Sequence, residues 1–425
     1  MSRERVRARV DRSLAAADAL RDVVAHWLAG RGDDPRFLRF RRQLAILDTL
    51  FAELLDAIRS ELLKVLQTAD SGPAYQRCRE LDESLLVGER LFGWYREKYD
   101  QRLDDRLHAV LAAADEVVRS CWRAACEHAG RTPAAGPLPY LDARFAASAT
   151  PRPAVPAGLR PSADSVVEEL VRELPIPVIG LPGWAARESW WLGMCAHETG
   201  HHVHHDFDPG LPYAVRSALA EVGEEWIGWA AEAFADAYSA VMIGPAACWL
   251  VAELQHGPEE AMLRPAGPYP SPVVRSALLA ELCARLGAPA PAQPDLDGLL
   301  ARAGRTQERR LAEVPAVARA LLGLPLGGRP LRDLGLPDAG RASAWAGQLA
   351  RGVPLFAGLD RPEAARELVA AGVAGHAADP ARVHANLVGH LPRCGGEGTL
   401  GASAPQPAVR DLARRLTGRV LGGGR

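Results

Sequence analysis

The chain has 425 residues, of which 24% are charged and 48% hydrophobic, and its formal net charge is −2. This length predicts more than one domain, or one large body with added arms. The near-neutral balance gives no bulk attraction to nucleic acid or to an anionic membrane, so neither is expected as a partner. The seven scattered cysteines form no C-x-x-C pair, and the charged start lacks the apolar run of a signal peptide. We therefore expect reduced thiols and a cytoplasmic location.

Residues 1–130 are predicted to form four long helices with short joints. Their apolar residues recur at helical spacing, and the clearest stripe consists of Leu44, Leu47, Leu50, Leu54, Ile58 and Leu62. This pattern favours an antiparallel bundle or a helical arm. Such an element can bind a protein partner or can simply pack on a catalytic body, and periodicity does not separate the two.

Residues 131–164 contain seven prolines, which exclude a regular helix and predict a linker or an extended strap. The catalytic region is predicted over 165–290. It opens with 176–181, a short apolar run bounded by prolines and glycine, which is typical of a strand. The prolines favour an edge position for this strand, and an ordinary core strand or loop is the alternative.

Residues 195–202 have the sequence C-A-H-E-T-G-H-H and lie in a proline-free stretch that is predicted to be helical. His197 and His201 are four residues apart and therefore share one helix face. Two imidazoles at this spacing can bind one zinc ion while the Glu198 carboxylate lies beside them. Zinc lowers the pKa of bound water from about 15.7 to about 7, and an adjacent carboxylate can take the proton.

A catalytic zinc site usually has a third protein ligand, which we expect from the alanine-rich helix predicted over 224–236. Glu232 and Asp236 share a face of that helix. Glu232 can bind the metal, and Asp236 can accept the free ring N–H of a ligating histidine. Glu225, seven residues before Glu232, lies on nearly the same face and is the alternative third ligand.

H-E-x-x-H followed by a helix with E-x-x-x-D resembles the gluzincin type of zinc metallopeptidase, over roughly 176–286. The resemblance implies a zincin-like core in which Glu198 is the general base and Asp236 supports a ligand. It also implies that the strand before the zinc helix pairs with the substrate backbone. The implied zinc ligands are His197, His201 and Glu232.

Residues 269–275, Y-P-S-P-V-V-R, resemble the H-P-x-x-x-x-R segment that follows the third-ligand helix in one branch of these peptidases. There the histidine helps to hold the tetrahedral intermediate, whereas this chain has tyrosine in its place. A tyrosine hydroxyl can also donate to an oxyanion. Tyr269 and Arg275 are therefore further candidates for catalytic residues, and a surface loop and an ordinary helix start are the simpler alternatives.

Several polar residues follow His201 directly. The metzincin pattern fails because His204 and Phe207 occupy the positions where that pattern needs glycine and histidine. A second metal site is one interpretation of this polar run. A frayed, solvated helix end that stops at Pro209-Gly210 is the favoured one. The residues concerned are His202, His204, His205, Asp206 and Asp208.

Two further features of the catalytic region need an interpretation. Six of the ten tryptophans fall here, and they either line a cleft or, more simply, belong to the core. Residues 237–254 are strongly apolar, but Pro245 interrupts them and Glu253 lies near their end. A buried core helix therefore fits this run better than a membrane span.

Residues 291–425 are predicted to be helical, with helices near 314–322, 339–351, 361–371 and 408–421 and a flexible stretch at 395–406. The expected fold class is mainly α, with α+β character in the catalytic region. The expected activity is hydrolysis of peptide bonds in a peptide or protein substrate by a zinc metallopeptidase. The alternatives are a zinc hydrolase of a non-peptide amide and a helical scaffold whose zinc is structural.

Overall fold

The computed structural model describes residues 3–131, 135–156, 159, 174–288, 294–302 and 304–394. Helices make up 73% of the structure and strands 5%, which confirms the mainly α fold class. The segments 395–406 and 408–421, predicted to be flexible and helical, lie outside the described residues.

The first four α-helices have 24 to 30 residues each, the α-helices after them are shorter, and short strands lie between some of them. The α-helices are α1 (Arg3–Gly32), α2 (Arg41–Val65), α3 (Ser71–Asp100), α4 (Asp105–His128), α5 (Met194–His202), α6 (Leu211–Ala220), α7 (Glu224–Gly228), α8 (Ala230–Ile243), α9 (Ala246–Gln255), α10 (Glu259–Met262), α11 (Pro272–Arg285), α12 (Pro294–Ala301), α13 (Arg305–Gly323), α14 (Ala339–Arg351), α15 (Ala364–Gly375) and α16 (Pro380–His390). The strands are β1 (Leu138–Asp142), β2 (Ser148–Thr150), β3 (Val178–Pro182), β4 (Pro325–Leu326) and β5 (Arg329–Pro330).

The described residues divide into two compact units whose bounds differ from the predicted domains. The first unit falls within 1–100 and 150–177, and the second within 101–149 and 178–396. The fourth of the long helices predicted at the start, α4, therefore belongs to the second unit. The predicted linker at 131–164 contributes β1 and β2, so part of it forms a sheet rather than a free connector.

Helices α1, α2 and α3 pack on one another within the first unit. The apolar stripe predicted for α2 is buried, since each of its six residues is at most 6% exposed. Helix α2 follows a short 3₁₀ helix at Pro35–Phe40, where the Asp34 side chain accepts a hydrogen bond from the Arg36 amide. An aspartate before a first-turn proline is a typical helix start, so local sequence explains this boundary.

The second unit contains a three-stranded sheet in the order β1–β3–β2. Strands β1 and β3 are parallel, with Leu138 opposite Val178, and all five residues of β3 are buried. The prediction of an edge position for this strand is therefore wrong. Pro177 precedes the strand and Pro182 ends it, so the residues between them keep their amide donors for both neighbours.

One hydrophobic core runs through the second unit from α4 to α16, and it includes the predicted catalytic helices and the C-terminal ones. The apolar run at 237–254 forms the end of α8 and most of α9, which Gly244 separates with a φ of 59°. Its burial confirms the interpretation as core. Within the described residues, no helix combines the length and apolar character that crossing a bilayer requires.

Candidate metal centre

Helices α5 and α8 bring three candidate metal ligands together. His197 and His201 lie one turn apart on α5, and Glu232 lies in the first turn of α8. One ligand atom from each residue lies within 4.8 Å of the others, and this is the only such group among the residues that the structure describes. The packing of α5 against α8 thus brings together Glu232 and His197, which are 35 residues apart in the chain.

The distances between the ligand atoms are close to those of a tetrahedral site, with a different Glu232 oxygen near each imidazole. The two Nε2 atoms are 3.2 Å apart, and the Glu232 carboxylate oxygens lie 3.4 Å from His197 Nε2 and 3.5 Å from His201 Nε2. Ligands about 2.0–2.2 Å from a tetrahedral ion lie roughly 3.3–3.6 Å from one another. The three side chains therefore need little movement to bind one ion.

The Glu232 carboxylate also shows that this group fits a cation. Glu232 is 7% exposed, and its Oε2 atom is buried without a hydrogen-bond partner. A buried carboxylate oxygen without a partner is costly unless a cation or a donor satisfies it. Two imidazoles and one carboxylate form a donor set that is typical of catalytic zinc.

Asp236 and Arg275 form a buried ion pair behind His197. Asp236 Oδ1 lies 3.0 Å from His197 Nδ1, and Arg275 donates to both carboxylate oxygens of Asp236 over 2.6 and 2.7 Å. A proton on Nδ1 that is donated to Asp236 leaves His197 Nε2 free to bind a metal. The bidentate geometry of Arg275 fixes the Asp236 carboxylate, and one guanidinium nitrogen also lies 3.4 Å from His197 Nε2 and 3.9 Å from Glu232 Oε2.

The electrostatics of the group suit a cation. Burial alone would lower the pKa of His197, but the neighbouring carboxylates of Asp236 and Glu232 outweigh it and raise that pKa to about 9. Burial would raise the pKa of Glu232, yet the two neighbouring imidazoles hold it below its usual value. When no metal is bound, a proton on His197 therefore supplies part of the positive charge that the neighbouring carboxylates attract.

Glu198 and Tyr269 lie at the same site. Glu198 is 5% exposed and follows His197 directly on α5. Burial raises the pKa of Tyr269 to about 12, with further contributions from the negative charges of Glu232 and Glu198. The Tyr269 ring lies 5.3 Å from the Arg275 guanidinium carbon. The tyrosine that replaces histidine in the resembling segment is therefore close to the candidate ligands.

Two expectations about neighbouring residues have to be corrected or narrowed. Glu225 forms an ion pair with Arg310, whose Nε lies 2.6 Å from its carboxylate, so Glu225 is not among the metal-binding group. The helix end after His201 is solvated only in part, since His205 is exposed. It continues as a π-helical turn at Val203–Phe207, and His202 and His204 are 0% and 3% exposed. Burial, and after it the charges of two neighbouring histidines, lower the pKa of His204 to about 3.

Sequence reasoning missed the contact that places α8 against α5. A Cβ atom added to Gly200 would lie 2.9 Å from the Ala235 Cα and 3.1 Å from the Tyr238 Cβ. Only glycine allows this approach of two backbones. The available signal was the glycine inside H-E-T-G-H together with the alanine-rich helix that supplies Glu232.

Most of the tryptophans in this region belong to the core, as the simpler interpretation predicts. Trp190 and Trp191 stack at 4.2 Å between ring centroids, and both are buried. Trp226 and Trp229 are buried as well, whereas Trp184 is 47% exposed. The buried rings support the helices that carry the candidate ligands.

A scan against protein-family models, a search of curated proteins and a search of solved structures each found no significant match. The resemblance to zinc metallopeptidases therefore depends on the residues of α5, α8 and 269–275 and on their geometry.

Proposed function

We propose that the protein is a zinc metallopeptidase of the gluzincin type, with a zincin-like core in its second unit. The observation that supports this most is the short distances among His197, His201 and Glu232, with the buried Glu198 next to His197 on α5. When bound, zinc would supply a Lewis acid and lower the pKa of water at the open position. A structural zinc site has no use for an open position or for a base.

In this proposal Glu198 moves the protons of the reaction. Its carboxylate takes a proton from the attacking water and passes it to the nitrogen of the leaving amine. The new C–O bond forms at the scissile carbonyl carbon, the C–N bond breaks, and both products leave with the atoms of one added water. Burial of Glu198 keeps bulk water away from this proton transfer.

The remaining residues bind and orient. Tyr269 keeps its hydroxyl proton at physiological pH, because its pKa is raised to about 12, and can donate to the developing oxyanion. Arg275 is 2% exposed and is occupied by Asp236, so it acts as a positioning residue rather than as a group that contacts substrate. The seven cysteines are free and buried, which suits a reducing cytoplasm as the site of action.

The test separates an enzyme from a scaffold. The zinc-loaded protein is incubated with a proteome-derived peptide library, and new termini are read by mass spectrometry. Glu198→Gln keeps the side-chain volume and removes the base, so it should retain zinc and lose about 10²–10⁴-fold in turnover. Glu225→Gln is the matched control, since Glu225 is held by Arg310. Zinc-loaded wild type without any cleavage, or undiminished cleavage by Glu198→Gln, overturns the proposal.

A further inference from the structure

His202 follows the second candidate ligand and makes two contacts that no metal-binding role explains. Its Nδ1 lies 3.0 Å from Asp206 Oδ2, and its Nε2 lies 3.1 Å from the carbonyl oxygen of Val178 in β3. The imidazole is completely buried. Because both ring nitrogens face oxygen acceptors of the protein, neither is left for a metal.

The two contacts join three elements of the second unit. Asp206 lies in the π-helical turn that continues α5, and such turns are frequent at functional sites. Val178 is the first residue of β3, the central strand of the sheet. The π turn is itself held, since Arg131 donates to the carbonyl oxygen of Phe207 at its end. The His202 ring therefore connects a fixed turn to a fixed strand.

The position of His202 on α5 relates this connection to Glu198. Glu198 and His202 are four residues apart and share one face of α5, next to the face that carries His197 and His201. The ligand face is held against α8 by the close contact at Gly200. The face with Glu198 is held against β3 by the His202 hydrogen bond to Val178.

We propose that His202 is a positioning residue, which fixes the orientation of Glu198 over the ligands by joining α5 to β3. This inference rests on the proposed function, because it assigns His202 to the base of that reaction. When the bond to Val178 is lost, the face of α5 that carries Glu198 is no longer held against β3. The three metal ligands keep their positions, because the Gly200 contact with α8 remains. A small misplacement of a catalytic group can cost about 10²-fold in rate without a loss of binding.

Two isosteric substitutions separate the two bonds of the ring. The amide nitrogen of His202→Gln can replace Nε2 and keep the bond to Val178, whereas that of His202→Asn replaces Nδ1 and keeps only the bond to Asp206. His202→Ala removes both bonds. His205→Ala is the matched control, because His205 is exposed on the same π turn.

Three measurements are made on these variants. They are the zinc affinity from competition with a chromophoric chelator, kcat and KM for a peptide from the library digest, and hydrogen exchange of residues 178–182 with and without zinc. We expect His202→Ala and His202→Asn to lose about 10–100-fold in kcat. Their KM and zinc affinity stay unchanged, and their β3 amides exchange faster. His202→Gln and His205→Ala retain wild-type exchange and most of the turnover.

The outcomes distinguish this inference from the function on which it rests. A cleaving wild type with an unaffected His202→Ala, or equal losses in His202→Asn and His202→Gln, overturns the His202 proposal alone. Loss of zinc from His202→Gln also overturns it, since the ring then supports the ligands instead. Zinc-loaded wild type that cleaves nothing overturns the proposed function and, with it, the role of Glu198 that His202 supports. If His202→Ala does not fold, the Asn and Gln variants decide.

Discussion

In the first compact unit, called here the α1–α3 unit, the helices meet through large apolar side chains. In the second unit, α5 and α8 meet through Gly200 and Ala235. Where α1, α2 and α3 come together, a Cβ on Gly88 would meet only the ends of leucine side chains, tightly at 3.3 Å from Leu54 and at an ordinary 3.7 Å from Leu20. At Gly200 the added atom would meet backbone at 2.9 Å. The first arrangement depends on the volume of its side chains and the second on the absence of one.

The two regions also differ in the exposure of their charged residues. In the α1–α3 unit most ion pairs are partly exposed, as in Arg21–Asp56 and Arg59–Asp18, and such pairs contribute little stability. At the metal centre the charged residues are buried: Arg275 lies 2.6 Å from Asp236 and 3.9 Å from Glu232. Burial of these charges costs free energy that only close pairing offsets, and such groups cluster at functional sites. The α1–α3 unit stays a candidate surface for a protein partner.

Removal of a candidate ligand should give the largest effect and confine it to the second unit. Wild type should bind about one zinc per chain, and zinc at 1,000 times its Kd should stabilise the fold by about 4 kcal/mol. His197→Ala or Glu232→Ala should lose both the metal and this stabilisation, while Glu225→Ala keeps them. Metal analysis and calorimetry with and without zinc measure this. An equal loss from Glu225→Ala would contradict Glu232 as the third ligand.

A rise in pH should lower the stability of the metal-free protein and increase its affinity for zinc. The pKa of His197 is raised to about 9 without a metal, so its ionic contribution to stability is complete below its usual value of 6.5. That contribution is lost as pH rises through 9. Zinc affinity should instead increase over the same range, because the proton no longer competes. Thermal melts and zinc titrations from pH 6 to pH 9 test the sign, and His197→Gln should remove the first effect.

The two regions also differ in how much of them the sequence predicts. The α2 stripe and the Asp34 cap follow from local spacing, because a helix places residues three and four apart on one face. His197, Glu198 and His201 follow for the same reason. The Gly200 contact and the bonds of His202 join elements that are distant in the chain, so no local pattern contains them. Local patterns alone therefore predict a solvated polar run after His201 and an edge position for β3, and the structure differs from both predictions.

Asp236→Asn should have a smaller effect than loss of a ligand. The variant keeps an oxygen for His197 Nδ1 but removes the closer of the two buried carboxylates beside Arg275, so that only Glu232 remains, at 3.9 Å. Outer-shell changes weaken metal binding by about 10–100-fold, and we expect a loss in that range. A chelator competition measures it. Zinc affinity equal to that of wild type would show that the Asp236–Arg275 pair does not orient the ligand.

Gly200→Ala should cost stability through the contact of α5 with α8. The new methyl group meets the Ala235 backbone at 2.9 Å, which a side-chain rotation cannot relieve. Overpacking of this kind costs about 1–3 kcal/mol. Denaturant unfolding of the metal-free protein measures this loss, and a weaker zinc affinity should accompany it because Glu232 moves away from the histidines. Unchanged stability would mean that the two helices are not held at this distance.

Gly93→Ala in α3 is the counterpart of that substitution and should have the opposite sign. Gly93 lies inside a helix, is exposed, and has no atom within 4 Å of the position that a Cβ would occupy. Glycine inside a helix costs about 0.5–1 kcal/mol relative to alanine, because the unfolded chain loses more freedom on folding. The variant should therefore gain that amount in denaturant unfolding and keep its zinc affinity. A loss at Gly93 as large as that at Gly200 would remove the contrast between a region packed by volume and a region packed by the absence of a side chain.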